Sequence, residues 1–203
     1  MRKSLGMLIL CLIGPMTQSA SAPAEKEKPP DYYPLKEGNK WYYKVDGGVV
    51  DQKLVSVQVA KIENIDGEKL ARVESLVDGK VVATEHLTAM DKGVFRHRYN
   101  GAVVTPPICV IKLPFKKGDT WETEAKAGDL KIKVACKAGQ EEVEVPAGKF
   151  NAISIVTEGD LGTVKILTTL WFADGVGMVK QTIEIAGQKK TLELEKYEVA
   201  KPK

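Results

Sequence analysis

His86 and His97 are the only imidazoles in the 203-residue chain, and they flank an Asp91-Lys92-Gly93 turn at a spacing that a metal would require to share one sheet face. Register decides whether they do. A three-residue loop with Gly93 in the left-handed position pairs residues whose numbers sum to 184, which groups Ala83, Leu87 and Ala89 with Phe95, His97 and Tyr99. Thr84, His86 and Thr88 then share the other face with Arg96 and Arg98. That arrangement separates apolar from polar side chains better than a two-residue loop, puts the imidazoles on opposite faces, and leaves no metal site to expect. Nucleophilic catalysis fares no better: Ser56, Ser75 and Ser154 lie in no G-x-S-x-G elbow. Carboxylate pairs such as Glu141-Glu142 and Glu193 with Glu195 are what a wet strand face looks like in a chain with 28% charged residues. Gly175-Val176-Gly177 lacks the helix and the Lys-Ser/Thr of a phosphate loop. No catalytic residue and no cofactor is expected.

The N-terminus reads as an address. Met1-Arg2-Lys3 is a short positive region, residues 5–13 are almost uninterruptedly apolar, and Gly14-Pro15 precedes the small, polar run 17–22. This is the layout of a secretory signal peptide, expected over residues 1–22, with cleavage after Ser21 or Ala24 as alternatives to Ala22. The apolar run is too short for a membrane span, so no transmembrane segment is expected after its removal. A secreted or periplasmic location follows. Without Arg2 and Lys3, 30 Lys+Arg against 27 Asp+Glu becomes 28 − 27 = +1, which gives nucleic acid no bulk electrostatic attraction. Loss of Cys11 leaves Cys109 and Cys136, a possible disulfide in an oxidising compartment. On successive meander strands their Cα atoms would be about 9.6 Å apart, so a bridge needs one segment to leave the sheet.

Residues 23–34 (PAEKEKPPDYYP) read as an extended, solvated leader, and residues 35–203 as one domain. Runs rich in Val, Ile, Thr, Trp and Tyr are divided by Asp46-Gly47-Gly48, Asp66-Gly67, Asp78-Gly79, Asn100-Gly101, Gly128-Asp129, Gly159-Asp160 and Ala186-Gly187. Val55, Val57 and Val59 alternate with Ser56 and Gln58, which is one buried and one wet face. The pattern predicts an all-β domain of ten to twelve antiparallel strands. So long a meander must curl into a half-barrel, a barrel-like shape or a folded-over sandwich.

Four segments in order carry a family likeness: Gly38-Asn39-Lys40-Trp41-Tyr42-Tyr43; Leu113-Pro114 with Lys117-Gly118-Asp119-Thr120-Trp121; Val145-Pro146-Ala147-Gly148-Lys149-Phe150; and Trp171-Phe172-Ala173-Asp174-Gly175-Val176-Gly177. In these the chain resembles the TapB-like group of exported bacterial proteins. The resemblance implies a β-rich secreted or cell-envelope domain and no established catalytic residues.

Together these readings lead to a non-enzymatic envelope protein whose curved sheet offers an apolar concavity to a hydrophobic or lipid-like small molecule. Trp41, Tyr43, Phe95, Tyr99 and Trp171 are the expected lining. The alternative is a structural or assembly accessory that binds an envelope protein partner, for instance through an unpaired strand edge.

Overall fold

The computed structural model describes residues 29–47, 54–161 and 164–200. The signal expected over 1–22 and residues 23–28 of the expected leader lie outside them.

Twelve antiparallel strands follow one another around a closed barrel. They are β1 (Lys40–Asp46), β2 (Leu54–Ile65), β3 (Glu68–Val77), β4 (Lys80–Met90), β5 (Gly93–Tyr99), β6 (Ala102–Lys112), β7 (Thr120–Ala127), β8 (Leu130–Val145), β9 (Gly148–Leu161), β10 (Val164–Ala173), β11 (Gly177–Ile185) and β12 (Gln188–Glu198). Pairing of β12 with β1, from Lys40↔Glu198 to Asp46↔Thr191, completes the ring. The all-β expectation therefore resolves to its barrel form. The unpaired edge on which the accessory reading drew is largely closed, with one thin seam: β6 and β7 pair only at Val104↔Ala127 and Thr105↔Lys126.

Most turns fall where the glycine signals put them. Asp66, Asp78, Asn100 and Ala186 take positive φ directly before Gly67, Gly79, Gly101 and Gly187, the two-residue geometry that matches strand twist. Gly159 and residue 160 differ: they continue β9, which runs to Leu161.

In such a meander, alternate connections lie at opposite ends. The β1–β2, β3–β4, β5–β6, β7–β8, β9–β10 and β11–β12 turns form one end, here called the mouth. The other end holds the remaining turns, the entry to β1 and the exit from β12.

The interior at that second end is filled by large side chains, and a groove of about 730 Å³ lies outside them between residues 29–33 and Val94, Ile111, Leu113 and Phe115. Trp41 and Tyr43, each 1% exposed, point inward from β1, and both reach across to the β10–β11 corner. The Trp41 indole N–H donates to the Val176 carbonyl at 2.6 Å, and the Tyr43 hydroxyl donates to the Met178 carbonyl at 2.9 Å. Gly177 makes this close approach possible: a Cβ there would lie 3.1–3.3 Å from the indole, on a backbone with φ +102°. The last residues of the expected leader join this seal. The Tyr33 ring packs 5.9 Å from Trp41 and 5.6 Å from Phe172, and Tyr32 packs edge-on to Phe115. Fully buried Asn39 ties the entry to β1 to the exit from β12: its amide donates to the Pro34 carbonyl at 2.7 Å, and its side-chain oxygen accepts from the Ala200 N–H at 2.8 Å. At the β8–β9 hairpin the Ala147 N–H donates to the Leu194 carbonyl, docking that long hairpin against β12.

Candidate functional site: the open half of the barrel

An eight-stranded barrel has an interior that side chains just fill, and diameter grows with strand number. Twelve strands can enclose more space than ordinary side chains occupy. At the closed end Trp41, Tyr43, Phe172 and the inserted Tyr33 fill it. Toward the mouth the inward-facing residues are small or branched, with few aromatics among them. Ser75 lies opposite Val57 and Ala83, Thr157 lies opposite Cys136 and Thr168, and Gly159 lies opposite Val134 and Ile166. Val57, Cys136 and the neighbouring Val55, Val59 and Val73 belong to the buried core, which fixes this face as the inner one. Ser75, Ala83, Ala127, Ile132, Val134, Thr157, Ile166, Thr168 and Ile183 are all only half-buried, although each shares the inward face. The wall is apolar in the main, and solvent reaches it.

Polar groups converge at one place on this wall. Glu85 pairs with core residue Val73 across β3–β4 and with Tyr99 across β4–β5, so both Glu85 and Tyr99 face inward. Arg96 lies opposite buried Leu87. Its Nη2 meets Glu85 Oε1 at 2.9 Å, and its guanidinium sits 5.8 Å over the Tyr99 ring. Arg96 Nε is buried and has no protein partner. The Tyr33 phenol belongs to the same neighbourhood: burial pushes its pKa up, the Glu85 carboxylate pushes it further and Arg96 opposes. A carboxylate, a guanidinium with a donor to spare and a neutral phenol thus stand together on this face. Across the barrel Lys190 faces inward too, opposite Ile183.

The residues expected to line a pocket are not brought together. Trp41 and Tyr43 lie under the lumen and spend their polar atoms on backbone carbonyls. Tyr99 stands at the mouth, 44% exposed. Phe95 pairs with Thr88 and Cys109 and follows inward-facing Val94, which turns it outward. Trp171 pairs with Ser154 and Lys180, and its indole donates to Glu141 at 2.7 Å.

A bulge explains why Arg96 was not expected inside. The sum of 184 holds at Glu85↔Tyr99 and His86↔Arg98, but the pairs nearer the turn, from Leu87↔Arg96 to Met90↔Gly93, sum to 183. His97 is the extra residue, and it reverses the faces on its two sides. The imidazoles consequently share the outer face instead of opposing ones. They have separate partners: His86 Nε2 meets Glu63 at 2.9 Å, while His97 meets Glu68 at 3.3 Å and Thr88 at 3.0 Å. Among the described residues no cluster suited to a metal occurs.

Cys109 and Cys136 are free thiols, so the possible bridge is not made. Beyond Thr105, β6 does leave its neighbour, but Trp121 fills the gap. It lies opposite Cys136, and its indole N–H donates to the Cys109 carbonyl at 3.2 Å. Burial pushes the Cys109 thiol up to about 11, nearby Cys136 adds to this and Lys112 opposes it. Burial also raises Cys136, against the Thr157 hydroxyl that lowers it.

Grooves of about 610 and 810 Å³ open on the barrel wall, the first where Gly159, Val164 and Ile166 adjoin Lys133, Glu158, Lys165 and Glu184, the second where Ala125 and Ile132 adjoin Glu124, Lys126, Lys131 and Lys133.

No family model matches the chain, and no curated protein does, so sequence comparison does not single out the TapB-like group. Among solved structures the chain is similar to a presumed lipoprotein from Parabacteroides distasonis, with 14% identity over 85% of this chain and 100% of that one, and a TM-score of 0.54. It is also similar to a presumed exported protein with a YmcC-like fold from Bacteroides fragilis, with 14% identity over 84% and 100% of the two chains and a TM-score of 0.48. The Parabacteroides distasonis protein thus shares the fold of this barrel.

Proposed function

We propose that this chain is an exported, non-enzymatic carrier domain that holds one amphiphilic, lipid-like molecule in the open half of the barrel. The observation that carries the reading is the change in the inner wall along the barrel: large, hydrogen-bonded aromatics at one end, small and branched half-buried residues at the other. In this reading that change leaves a lumen, with Glu85, Arg96 and the Tyr33 phenol as its polar floor. Tyr99, of the expected aromatic set, faces the same side. Export rests on the signal layout of residues 1–22 and agrees with the fold shared with the presumed lipoprotein. The test is filling: Ala83→Trp places an indole in the lumen without touching the closed end. It is expected to abolish retention of a fluorescent long-chain fatty acid while the thermal transition stays cooperative. Unchanged retention in a folded Ala83→Trp variant would overturn the reading.

A further inference from the structure

Both ends of the β4–β5 pair are fixed. At one end Met90 pairs with Gly93, and Gly93 lies so close to β6 that a Cβ there would collide with the Ile111 carbonyl oxygen. At the other end the Asn100 N–H donates to the Thr84 carbonyl at 2.8 Å, and the Thr84 N–H donates to the Asn100 side-chain oxygen at 2.9 Å. Between these points residues 85–89 face residues 94–99, five against six, so one residue of β5 must bulge. The place of the bulge decides which side chain faces inward. With the bulge at His97, Arg96 lies opposite buried Leu87 on the inner face. A bulge two residues nearer the turn, at Phe95, would set Arg96 opposite Thr88 on the outer face and position 97 opposite Leu87 on the inner one, with Val94 and Tyr99 unmoved.

The surroundings of Arg96 do not favour the arrangement observed. Its Nε is buried without a protein partner, whereas a guanidinium turned outward would meet water. The favourable contacts belong to His97, which the ladders to β4 and β6 both pass over. Its ring lies on the outer face, where Nε2 shares a hydrogen bond with the Thr88 hydroxyl at 3.0 Å and Nδ1 meets the Glu68 carboxylate of β3 at 3.3 Å. The imidazole thus reaches past β4, and its side chain is only 16% exposed. We propose that His97 is a positioning residue: its contacts with Thr88 and Glu68 place the bulge and so hold Arg96 on the inner wall. The consequence for a ligand rests on the carrier reading, and the placement itself does not.

The test is backbone NMR of the folded chain beside titration with a fluorescent long-chain fatty acid. The parent should show cross-strand NOEs from Leu87 to Arg96 and from Thr88 to Phe95. In His97→Val, whose apolar side chain suits the inner face, they should run from Leu87 to position 97 and from Thr88 to Arg96. Fatty-acid retention should fall about tenfold, as in Arg96→Met. Thr88→Val with Glu68→Ala removes both partners of the ring and should populate the same second pattern. His97→Gln, whose amide can still pair with the Thr88 hydroxyl, should keep the parent's pattern and its retention. Leu87–Arg96 NOEs that persist in both His97→Val and the Thr88–Glu68 double variant would overturn the proposal, and so would their loss in His97→Gln. A moved bulge with full retention would uphold the placement and count against Arg96 as a ligand contact, so the two readings fail separately.

Discussion

Glu85 and Arg96 meet at 2.9 Å on the inner wall of the barrel, between Leu87 and Tyr99. Their side chains are 21% and 30% exposed, so the pair faces water and not a dry core. An ion pair so placed contributes at most about 1 kcal/mol to folding. Under the proposed function the pair serves the ligand instead.

Glu85→Gln and Arg96→Met should therefore leave the urea midpoint nearly unchanged and still weaken retention of a long-chain fatty acid, about tenfold for Arg96→Met. A carboxylate ligand should be affected more by loss of Arg96 than by loss of Glu85. Titration of a fluorescent fatty acid checks the order.

The closed end predicts the opposite balance. Trp41→Leu loses the bond to the Val176 carbonyl and leaves a void, a cost of about 3–5 kcal/mol in folding. Tyr43→Phe loses only the bond to Met178, about 1–2 kcal/mol. Gly177→Ala should cost about 1–3 kcal/mol, because its methyl meets the Trp41 indole on left-handed backbone. Denaturant unfolding measures all three.

Much of the architecture was legible and much of the site was not, for a common physical reason. Dipeptides such as Asp78-Gly79 and Asn100-Gly101 announce turns locally, and the alternation of Val55, Val57 and Val59 announces a one-sided strand. Closure depends on β1 meeting β12 across the whole chain, and no local pattern encodes that. The site depends on side-chain faces, and faces depend on bulges. The extra residue at His97 turns Arg96 inward and Phe95 outward, the reverse of a regular hairpin. Tyr32 and Tyr33 were grouped with the solvated leader by their Pro, Lys and Glu neighbours. Only the packing of Tyr33 on Trp41 and Phe172, and of Tyr32 on Phe115, shows why two aromatics stand there.

Asn39 predicts a local effect. Asn39→Ala leaves the Ala200 N–H and the Pro34 carbonyl without their partner, and should destabilise the fold by about 1–3 kcal/mol. Amide exchange should accelerate first at residues 34–39 and 198–200, while the β8–β9 hairpin keeps its protection.

Alkaline pH should destabilise the barrel. Burial raises the Tyr33 and Tyr43 phenols and the Cys109 and Cys136 thiols above their ordinary values. An acid whose folded pKa is raised stabilises the protein below its unfolded pKa, and that stability is lost as pH rises toward the folded value. The midpoint of urea unfolding should fall from about pH 9 upward, first through the thiols and then through the phenols. Tyr33→Phe should blunt the upper part of the fall. In the folded protein both thiols should react with a disulfide reagent far more slowly than after denaturation.

Native mass spectrometry of the chain purified from an oxidising compartment tests the carrier reading most directly. The barrel should carry an adduct of a few hundred daltons, or acquire one on mixing with a long-chain fatty acid, that denaturation releases and Ala83→Trp prevents. A bare protein mass under both conditions, from a chain that is folded, would contradict it.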